Sequence, residues 1–133
     1  MIIDKIKDKG ESMSVLEGHD RLQYIIDEAR KVEPLAQEHK TDENKIRGCI
    51  SNLWVTGKVQ KDGTMQYQHD ADSYMTKGTA KVIIDIVNGE HRSEVAHLKL
   101  ENFQALGIRE LLTMQRQVGF LPRREPGAPR EYN

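Results

Sequence analysis

Apolar residues recur at steps of three and four positions in two stretches near the start of the chain. The first stretch contains Ile2, Ile3 and Ile6. The second has the broader apolar face and contains Leu22, Ile25, Ile26, Ala29 and Val32. This spacing predicts two helices, because residues three and four apart share one helix face. We expect Gly10 to end or interrupt the first helix. The second should be capped by Gly18 or Asp20 and stopped by Pro34.

The middle of the chain has the two-residue alternation of a β-hairpin. Residues 50–60 are rich in β-branched and aromatic side chains, namely Ile50, Trp54, Val55, Thr56 and Val59. The next four residues, Lys-Asp-Gly-Thr at 61–64, favour a turn. After the turn, Met65, Tyr67 and His69 alternate with two glutamines. The pattern predicts two antiparallel strands with one face on the core and the other in water.

A helix start is predicted after the second strand. Residues 70–73 (Asp-Ala-Asp-Ser) have the acidic and hydroxyl side chains typical of such a start, so we expect Asp70 and Asp72 to cap the helix. The apolar residues that follow at helical spacing are Met75, Val82, Ile83, Ile86 and Val87. Gly89 fits the position beyond a helix end. Because every second residue from Ile83 to Val87 also fits alternation, a third strand over residues 81–87 stays open.

The C-terminal third has two weaker helical patterns and a tail. Ser93 and Glu94 can open a short helix that contains Val95 and Leu98. A further helix is suggested by Phe103, Leu106, Ile108, Leu111 and Leu112. Residues 121–133 contain three prolines and several charges, which predicts an extended or disordered tail. The predicted architecture is one α+β domain over residues 1–120, in which a small antiparallel sheet has helices packed on one side.

Composition and charge limit the classes of partner. The 133 residues are 37% hydrophobic and 31% charged, as in a soluble globular domain. Lys and Arg number 20 against 21 Asp and Glu, which gives no electrostatic reason to expect nucleic acid. No apolar stretch is long enough to predict a membrane span. The N-terminus does not have the pattern of a secretory signal, so we expect a cytoplasmic protein.

Cys49 is the sole cysteine, and it follows a polar stretch, residues 38–48, that we interpret as an exposed loop. A single thiol cannot form an internal disulfide or hold a cluster that needs several thiolates. Packing as a small buried side chain and chemical reactivity both remain open. Lys45 and Arg47 favour the thiolate by their charge, and Gly48 leaves the backbone beside Cys49 uncrowded. These neighbours suit a reactive cysteine.

Three stretches resemble the SufE family, sulfur-acceptor proteins that work with cysteine desulfurases in iron–sulfur cluster assembly. The residues similar to the stretch around the family's acceptor cysteine are Asn44, Ile46, Gly48, Cys49, Ser51, Leu53 and Trp54. Residues 70–72 with Gly78 resemble a second signature. Residues 112–119, which contain Arg116 and end in Gly119, resemble a third, with Met114 where proline is common. The resemblance covers residues 2–120, and a proline-bearing tail stands where the family has a final amphipathic helix.

The resemblance implies a role for Cys49 and for several residues around it. Cys49 would take the outer sulfur of a persulfide on a cysteine desulfurase, SufS-like or CsdA-like, and so stimulate that enzyme. It would then pass the sulfur to an iron–sulfur scaffold. The supporting or gating residues implied are Arg47, Gly48, Asp70, Asp72 and Arg116. No cofactor is expected in this chain, because pyridoxal phosphate would belong to the desulfurase.

Two other classes of function stay open. Cys49 can be the nucleophile of a hydrolase if a histidine serves as its base, and the candidates are His19, His39, His69, His91 and His97. No spacing selects one of them. The third possibility is a non-catalytic interaction domain, such as an iron–sulfur scaffold of the NifU type, against which the lone cysteine argues. Ser51 and Trp54 are expected to support the strand and fill the core.

Overall fold

The coordinates come from a computed structural model, and the structure describes residues 2–45, 52–98, 102, 103 and 106. Four α-helices and one β-hairpin make up the described fold. In chain order the elements are α1 (Ile2–Ser14), α2 (Gly18–Arg30), a 3-10 turn (Gln37–His39), β1 (Leu53–Val59), β2 (Met65–Ala71), α3 (Tyr74–Val87) and α4 (Arg92–Ala96). The predicted α+β class is confirmed.

The first two helices form as their apolar spacing predicts, but not with the predicted bounds. Helix α1 continues through Gly10, so the expectation that Gly10 ends it is wrong. A glycine costs a helix about 1 kcal/mol, which is less than the helix gains by burying Met13 one turn later. Helix α2 has Glu17 at its N-cap, and Gly18 is its first residue. Neither predicted cap residue occupies the N-cap position.

The hairpin packs one face on the helices. Its strands are antiparallel, with Leu53 opposite Ala71 at the open end and Val59 opposite Met65 beside the turn. The core face contributes Leu53, Val55, Met65 and Tyr67, all of which are buried. The opposite face contributes Gln66 and Gln68, which are exposed. The predicted alternation and the prediction of helices on one side of the sheet are therefore confirmed.

Helix α3 is the central element of the core. Its buried apolar residues are Ala80, Val82, Ile83, Ile84, Ile86 and Val87. The helix therefore covers residues 81–87, and the alternative of a third strand there is wrong. Alternation over so few residues is a weak signal, and the longer helical period decides the structure. Helix α4 forms where a short helix was expected, but His91 rather than Ser93 or Glu94 is its N-cap, and it ends at Ala96, before Leu98.

Gly78 lies where α3 packs closely against α2. A methyl group there would overlap the carbonyl oxygen of Ile25 and lie 2.8 Å from its Cγ2 atom. Because backbone cannot turn aside as a flexible side chain can, we expect Gly78→Ala to lower the free energy of unfolding by about 1–3 kcal/mol. Gly18→Ala is the comparison: the space around Gly18 is open, so only the strain of its positive φ of 52° opposes a side chain, and the loss there should stay at about 1 kcal/mol. Urea denaturation of both variants measures the difference, and equal losses would contradict the close packing.

The predicted helix that starts near Phe103 and the tail 121–133 lie outside the described residues, apart from Phe103 and Leu106. Both of those side chains are buried against the core. Within the described ranges, no helix has the length and apolar character needed to cross a membrane.

Candidate functional site

The stretch with Cys49 is bordered by two residues that the hairpin holds close together. Residues 46–51, which we call the acceptor segment, lie outside the described residues. Lys45, just before the segment, forms an antiparallel bridge with Trp54 of β1. The backbone amide of Val55 donates to the carbonyl oxygen of Asn44 at 2.9 Å. The N-terminal end of the acceptor segment is therefore fixed beside the start of β1.

The C-terminal end of the acceptor segment is fixed by Asn52 and Asp72. The side-chain amide of Asn52 donates to a carboxylate oxygen of Asp72 at 2.6 Å, and the backbone amide of Asp72 donates to the carbonyl oxygen of Asn52 at 3.1 Å. Asp72 does not cap α3, since Ser73 is the N-cap and accepts from the amide of Thr76. The capping role predicted for Asp72 is wrong, because Ser73 lies one residue closer to the helix.

Asp70 is a buried carboxylate in β2, with only 4% of the residue exposed. One oxygen accepts from the amide of Leu35 at 3.0 Å and pairs with Lys40 Nζ at 3.2 Å. The other accepts from the amide of Ala71 at 2.8 Å and pairs with Lys77 Nζ at 2.9 Å. The predicted capping role for Asp70 is therefore also wrong. The carboxylate instead joins the chain after α2 to the sheet and to α3.

These contacts decide the charge of Asp70. Burial raises the pKa of the carboxyl group, because the anion loses hydration. The hydrogen bonds from Lys77, from the amides of Leu35 and Ala71, and from Lys40 outweigh burial and hold the pKa well below its ordinary value. Asp70 is therefore an anion at any pH at which the protein would work, and it cannot supply a proton near neutrality.

Lys40 connects the Asp70 carboxylate with the tryptophan beside the acceptor segment. Its Nζ atom lies 5.4 Å from the centre of the Trp54 ring, within the range of a cation–π contact. Trp54 is opposite Asp70 in the hairpin and is only half-buried. The prediction that Trp54 fills the core is wrong, because the strand turns Leu53 and Val55 inward and Trp54 to the other face.

His69 is the one buried histidine among the described residues. Its Nε2 atom lies 3.0 Å from the carbonyl oxygen of Lys77, and since a carbonyl only accepts, Nε2 holds the proton. Burial lowers the pKa of His69, and the Lys77 carbonyl and the Asp70 charge offset only part of that effect. His69 is therefore neutral and resists protonation, and its Nε2 proton is bound to the Lys77 carbonyl, so both features make it a poor base.

The neutral His69 predicts a loss of stability in weak acid. The unfolded chain protonates this histidine below its ordinary pKa of about 6.5, while the folded state resists the proton. Stability should therefore fall as the pH drops below about 6.5, by up to about 1.4 kcal/mol per pH unit from this group. His69→Gln keeps a donor for the Lys77 carbonyl and should show a shallower pH dependence in urea denaturation between pH 7 and 5. If the free energy of unfolding has the same pH dependence in both proteins, the account of a neutral His69 is contradicted.

The other four histidines are exposed in the structure. His91 lies at the turn end of the hairpin, where it forms a bridge with Thr64. That is about 20 Å from the open end, at the usual rise per strand residue. His39 lies nearest to the acceptor segment along the chain, and its carbonyl oxygen accepts from the side-chain amide of Asn44 at 2.8 Å. No contact in the described structure selects any of these histidines as a catalytic base.

The structure joins some of the predicted site residues and adds others. Asp70 and Asp72 both lie at the open end of the hairpin, while Arg47, Gly48, Cys49 and Arg116 fall outside the described residues. Lys40, Asn52 and Lys77 were not predicted. Asn52 is three positions from Cys49 in the chain, and this proximity could have indicated it. Nothing in the sequence around Lys40 and Lys77 indicates that both pair with Asp70. The described part of the chain holds no group of three or more His, Cys, Asp or Glu placed to bind a metal ion.

Comparison with known proteins identifies relatives that cover most of the chain. Residues 7–122 match the family model described as "SufE: Fe-S metabolism associated domain". The chain is 32% identical over 100 residues to an uncharacterised SufE-like protein of Synechocystis, with 75% of this chain and 62% of that protein covered. It is 32% identical over 104 residues to an uncharacterised SufE-like protein of Rhizobium etli, with 75% and 70% covered.

Two further matches define how far the likeness extends. SufE-like protein 1 of Arabidopsis thaliana, chloroplastic/mitochondrial by name, is 29% identical over 108 residues, which is 81% of this chain but 29% of that protein. The chain thus spans less than two thirds of the Synechocystis and Arabidopsis relatives. A hypothetical protein from Thermus thermophilus, solved in solution, has the same fold with a TM-score of 0.66 at 20% identity. That match covers 87% of this chain and 85% of the other.

Proposed function

Because the chain belongs to the SufE family and so has a role in Fe–S metabolism, we propose that Cys49 accepts sulfur from a cysteine desulfurase. The sulfur would be held as a persulfide on Cys49 and then passed to an iron–sulfur scaffold. By removing sulfur from the desulfurase, the protein would raise the turnover of that enzyme. The pyridoxal phosphate of the reaction would belong to the desulfurase.

One structural observation supports this proposal above the others. Both ends of the acceptor segment are bonded to the open end of the hairpin, through Asn44 and Lys45 on one side and Asn52 on the other. A carrier cysteine must meet two proteins in turn, and a short segment with fixed ends offers the same group to each. The buried Asp70 stabilises this end of the hairpin by holding Lys40 beside Trp54.

The proposed transfer is an exchange between a thiolate and a persulfide. The Cys49 thiolate attacks the outer sulfur of the desulfurase persulfide, and a new S–S bond forms on Cys49. The old S–S bond breaks, and the desulfurase cysteine leaves as a thiolate. The proton of the persulfide stays on the transferred sulfur, so no oxidant or reductant is consumed. The step needs a nucleophilic and accessible sulfur but no general base.

Positive charge would assist this step. Arg47, two residues from Cys49, and Arg116, in the third stretch that resembles the family, are proposed to stabilise the thiolate or the persulfide. A nearby cation favours the anionic form of a thiol and so lowers its pKa. Gly48 is proposed to leave room beside the sulfur for the approaching donor.

Asp72 is proposed to control access to Cys49 through its bond to Asn52, which fixes the C-terminal end of the acceptor segment. Asp72→Ala removes the side-chain bond to Asn52 but leaves the backbone bond between the two residues. Because the lost bond is exposed, stability should change by less than about 1 kcal/mol. The rate at which a thiol reagent labels Cys49 should change severalfold. Asp62→Ala, at the opposite end of the hairpin, is the control, and equal labelling rates in all three proteins would contradict the proposed role.

The proposed function is tested by the turnover of a purified cysteine desulfurase. Removal of sulfur from cysteine leaves alanine, so alanine release reports each cycle. Addition of this protein should raise the rate of alanine release in a saturable way. A second prediction is that thiol reagents label Cys49 at different rates in the free and the desulfurase-bound protein. An unchanged rate of alanine release over a wide concentration range would contradict the proposal.

A further inference from the structure

Tyr74 is an exposed aromatic side chain at the open end of the hairpin. It begins α3 and leaves 58% of its surface in contact with solvent. The other large hydrophobic residues that are exposed in the described structure, Ile3, Val15 and Leu22, belong to the α1–α2 region. Tyr74 thus stands apart from them, two residues after Asp72 and the bond that Asp72 forms with Asn52.

The length of the chain limits how far Cys49 can lie from this bond. Cys49 is three positions before Asn52, so their Cα atoms are at most about 11 Å apart, whatever path the chain takes. A protein that hands sulfur to Cys49 must therefore bring its own sulfur close to the contact between Asn52 and Asp72. A standard interface covers about 800 Å² on each partner, equal to a disc of about 16 Å radius. A disc of that size over the Asn52–Asp72 contact includes the first turn of α3.

We propose that Tyr74 anchors the surface on which the cysteine desulfurase docks, with Asn52 and Asp72 at its side. This inference rests on the proposed function and adds the residue that provides binding energy. Tyrosine is enriched among the few interface residues that dominate affinity, because its ring offers a large contact area at a small entropic cost. The matching feature on the desulfurase is an apolar pocket wide enough for one ring.

One neighbour of Tyr74 favours a particular position of its ring before any partner arrives. Lys77 Nζ lies 5.9 Å from the centre of the ring, and the same atom is bound to Asp70 at 2.9 Å. Because the buried Asp70 holds Lys77 in place, this cation restricts the positions that the ring adopts. A side chain with fewer positions in the free protein loses less conformational entropy on binding.

The charges around this surface indicate the partner's character. The exposed acidic residues near the ends of the acceptor segment are Glu38, Asp42, Glu43 and Asp72, and Lys45 is the exposed cation among them. With Arg47 of the acceptor segment included, these residues carry four negative and two positive charges, and the net negative charge fits a basic rim around the apolar pocket of the desulfurase. Association should therefore slow as salt is added, because exposed charges are screened.

The test compares three variants by the concentration of this protein that gives half-maximal stimulation of the desulfurase. Tyr74→Ala should raise that concentration about tenfold or more and leave the maximal rate unchanged. Tyr74→Phe, which keeps the ring, should behave like the wild type. Ile3→Ala is the matched control, because Ile3 is a similarly exposed residue close to Lys5. Lys5 binds the carbonyl oxygen of Ile86 at the opposite end of α3.

Hydrogen exchange gives a second measurement that does not depend on a substitution. Binding of the desulfurase should slow exchange of the amides of residues 74–77 in the wild-type protein and leave residues 2–6 unaffected. Normal half-maximal concentrations for Tyr74→Ala, with no protection of residues 74–77, would overturn the inference. A change in self-association without an effect on stimulation would overturn it in favour of a second copy of this chain. If the wild type gives no stimulation at all, the proposed function itself has failed.

Discussion

Cys49→Ser is expected to abolish stimulation of the desulfurase completely. A serine hydroxyl is far less acidic than a thiol and cannot form a persulfide, so no sulfur can leave the desulfurase by this route. The variant should still dock, because the proposed binding surface at Asn52, Asp72 and Tyr74 is unchanged. In an assay of alanine release with a fixed amount of wild-type protein, added Cys49→Ser should therefore inhibit.

Two controls separate this result from simpler explanations. Urea denaturation of Cys49→Ser should match that of the wild type, which excludes unfolding as the cause. His39→Gln should stimulate normally, because sulfur exchange needs no histidine base. Full stimulation by Cys49→Ser, or loss of stimulation with His39→Gln alone, would contradict the sulfur-acceptor account.

Asp70→Ala is expected to lower the free energy of unfolding more than the other substitutions proposed for this protein. The substitution leaves Lys40 and Lys77 without their carboxylate and the amide of Leu35 without its acceptor. Breaking a buried ion pair by removing one partner costs about 3–5 kcal/mol. Because the two lysine side chains are 22% and 17% exposed and can turn toward water, we expect the lower end, about 3 kcal/mol.

The pH dependence of that loss follows from the lowered pKa of Asp70. A carboxyl group with a depressed pKa in the folded state stabilises the fold fully above its unfolded value, about 3.9. The difference between wild type and Asp70→Ala should therefore be constant from pH 8 to 5 and shrink as the pH falls below about 4. Asp85→Ala is the control, since Asp85 pairs with Lys81 on an exposed face of α3 and should cost less than about 1 kcal/mol. Equal losses from both substitutions would contradict the role of Asp70.

The sequence predicts those elements that depend on local periodicity. The hairpin was predicted from its alternation and turn residues, and α2 from its apolar spacing, since these signals lie within a few residues of each other. The end of α1 was mispredicted at Gly10, because the burial of Met13 is a property of the assembled core. Local signals do not contain that contribution.

The candidate site was predictable only in part, because its contacts join distant residues. Asp70 has the right neighbours for a helix cap, yet its partners Leu35 and Lys40 lie 35 and 30 positions away, and those contacts need the assembled fold. Trp54 likewise faces outward, because successive residues of a strand point to opposite faces and its neighbours Leu53 and Val55 point into the core. The division into a domain over residues 1–120 and a tail over 121–133, and the cytoplasmic location, stay predictions.

The most direct test of the sulfur-carrier account is the intact mass of the protein after incubation with a cysteine desulfurase and free cysteine. The account predicts a gain of one sulfur atom, about 32 Da, that peptide mapping places on Cys49 and that a reducing agent removes. Cys49→Ser, treated in the same way, should keep its original mass. A wild-type protein that stays unmodified beside an active desulfurase, or sulfur added at another residue, would contradict the account.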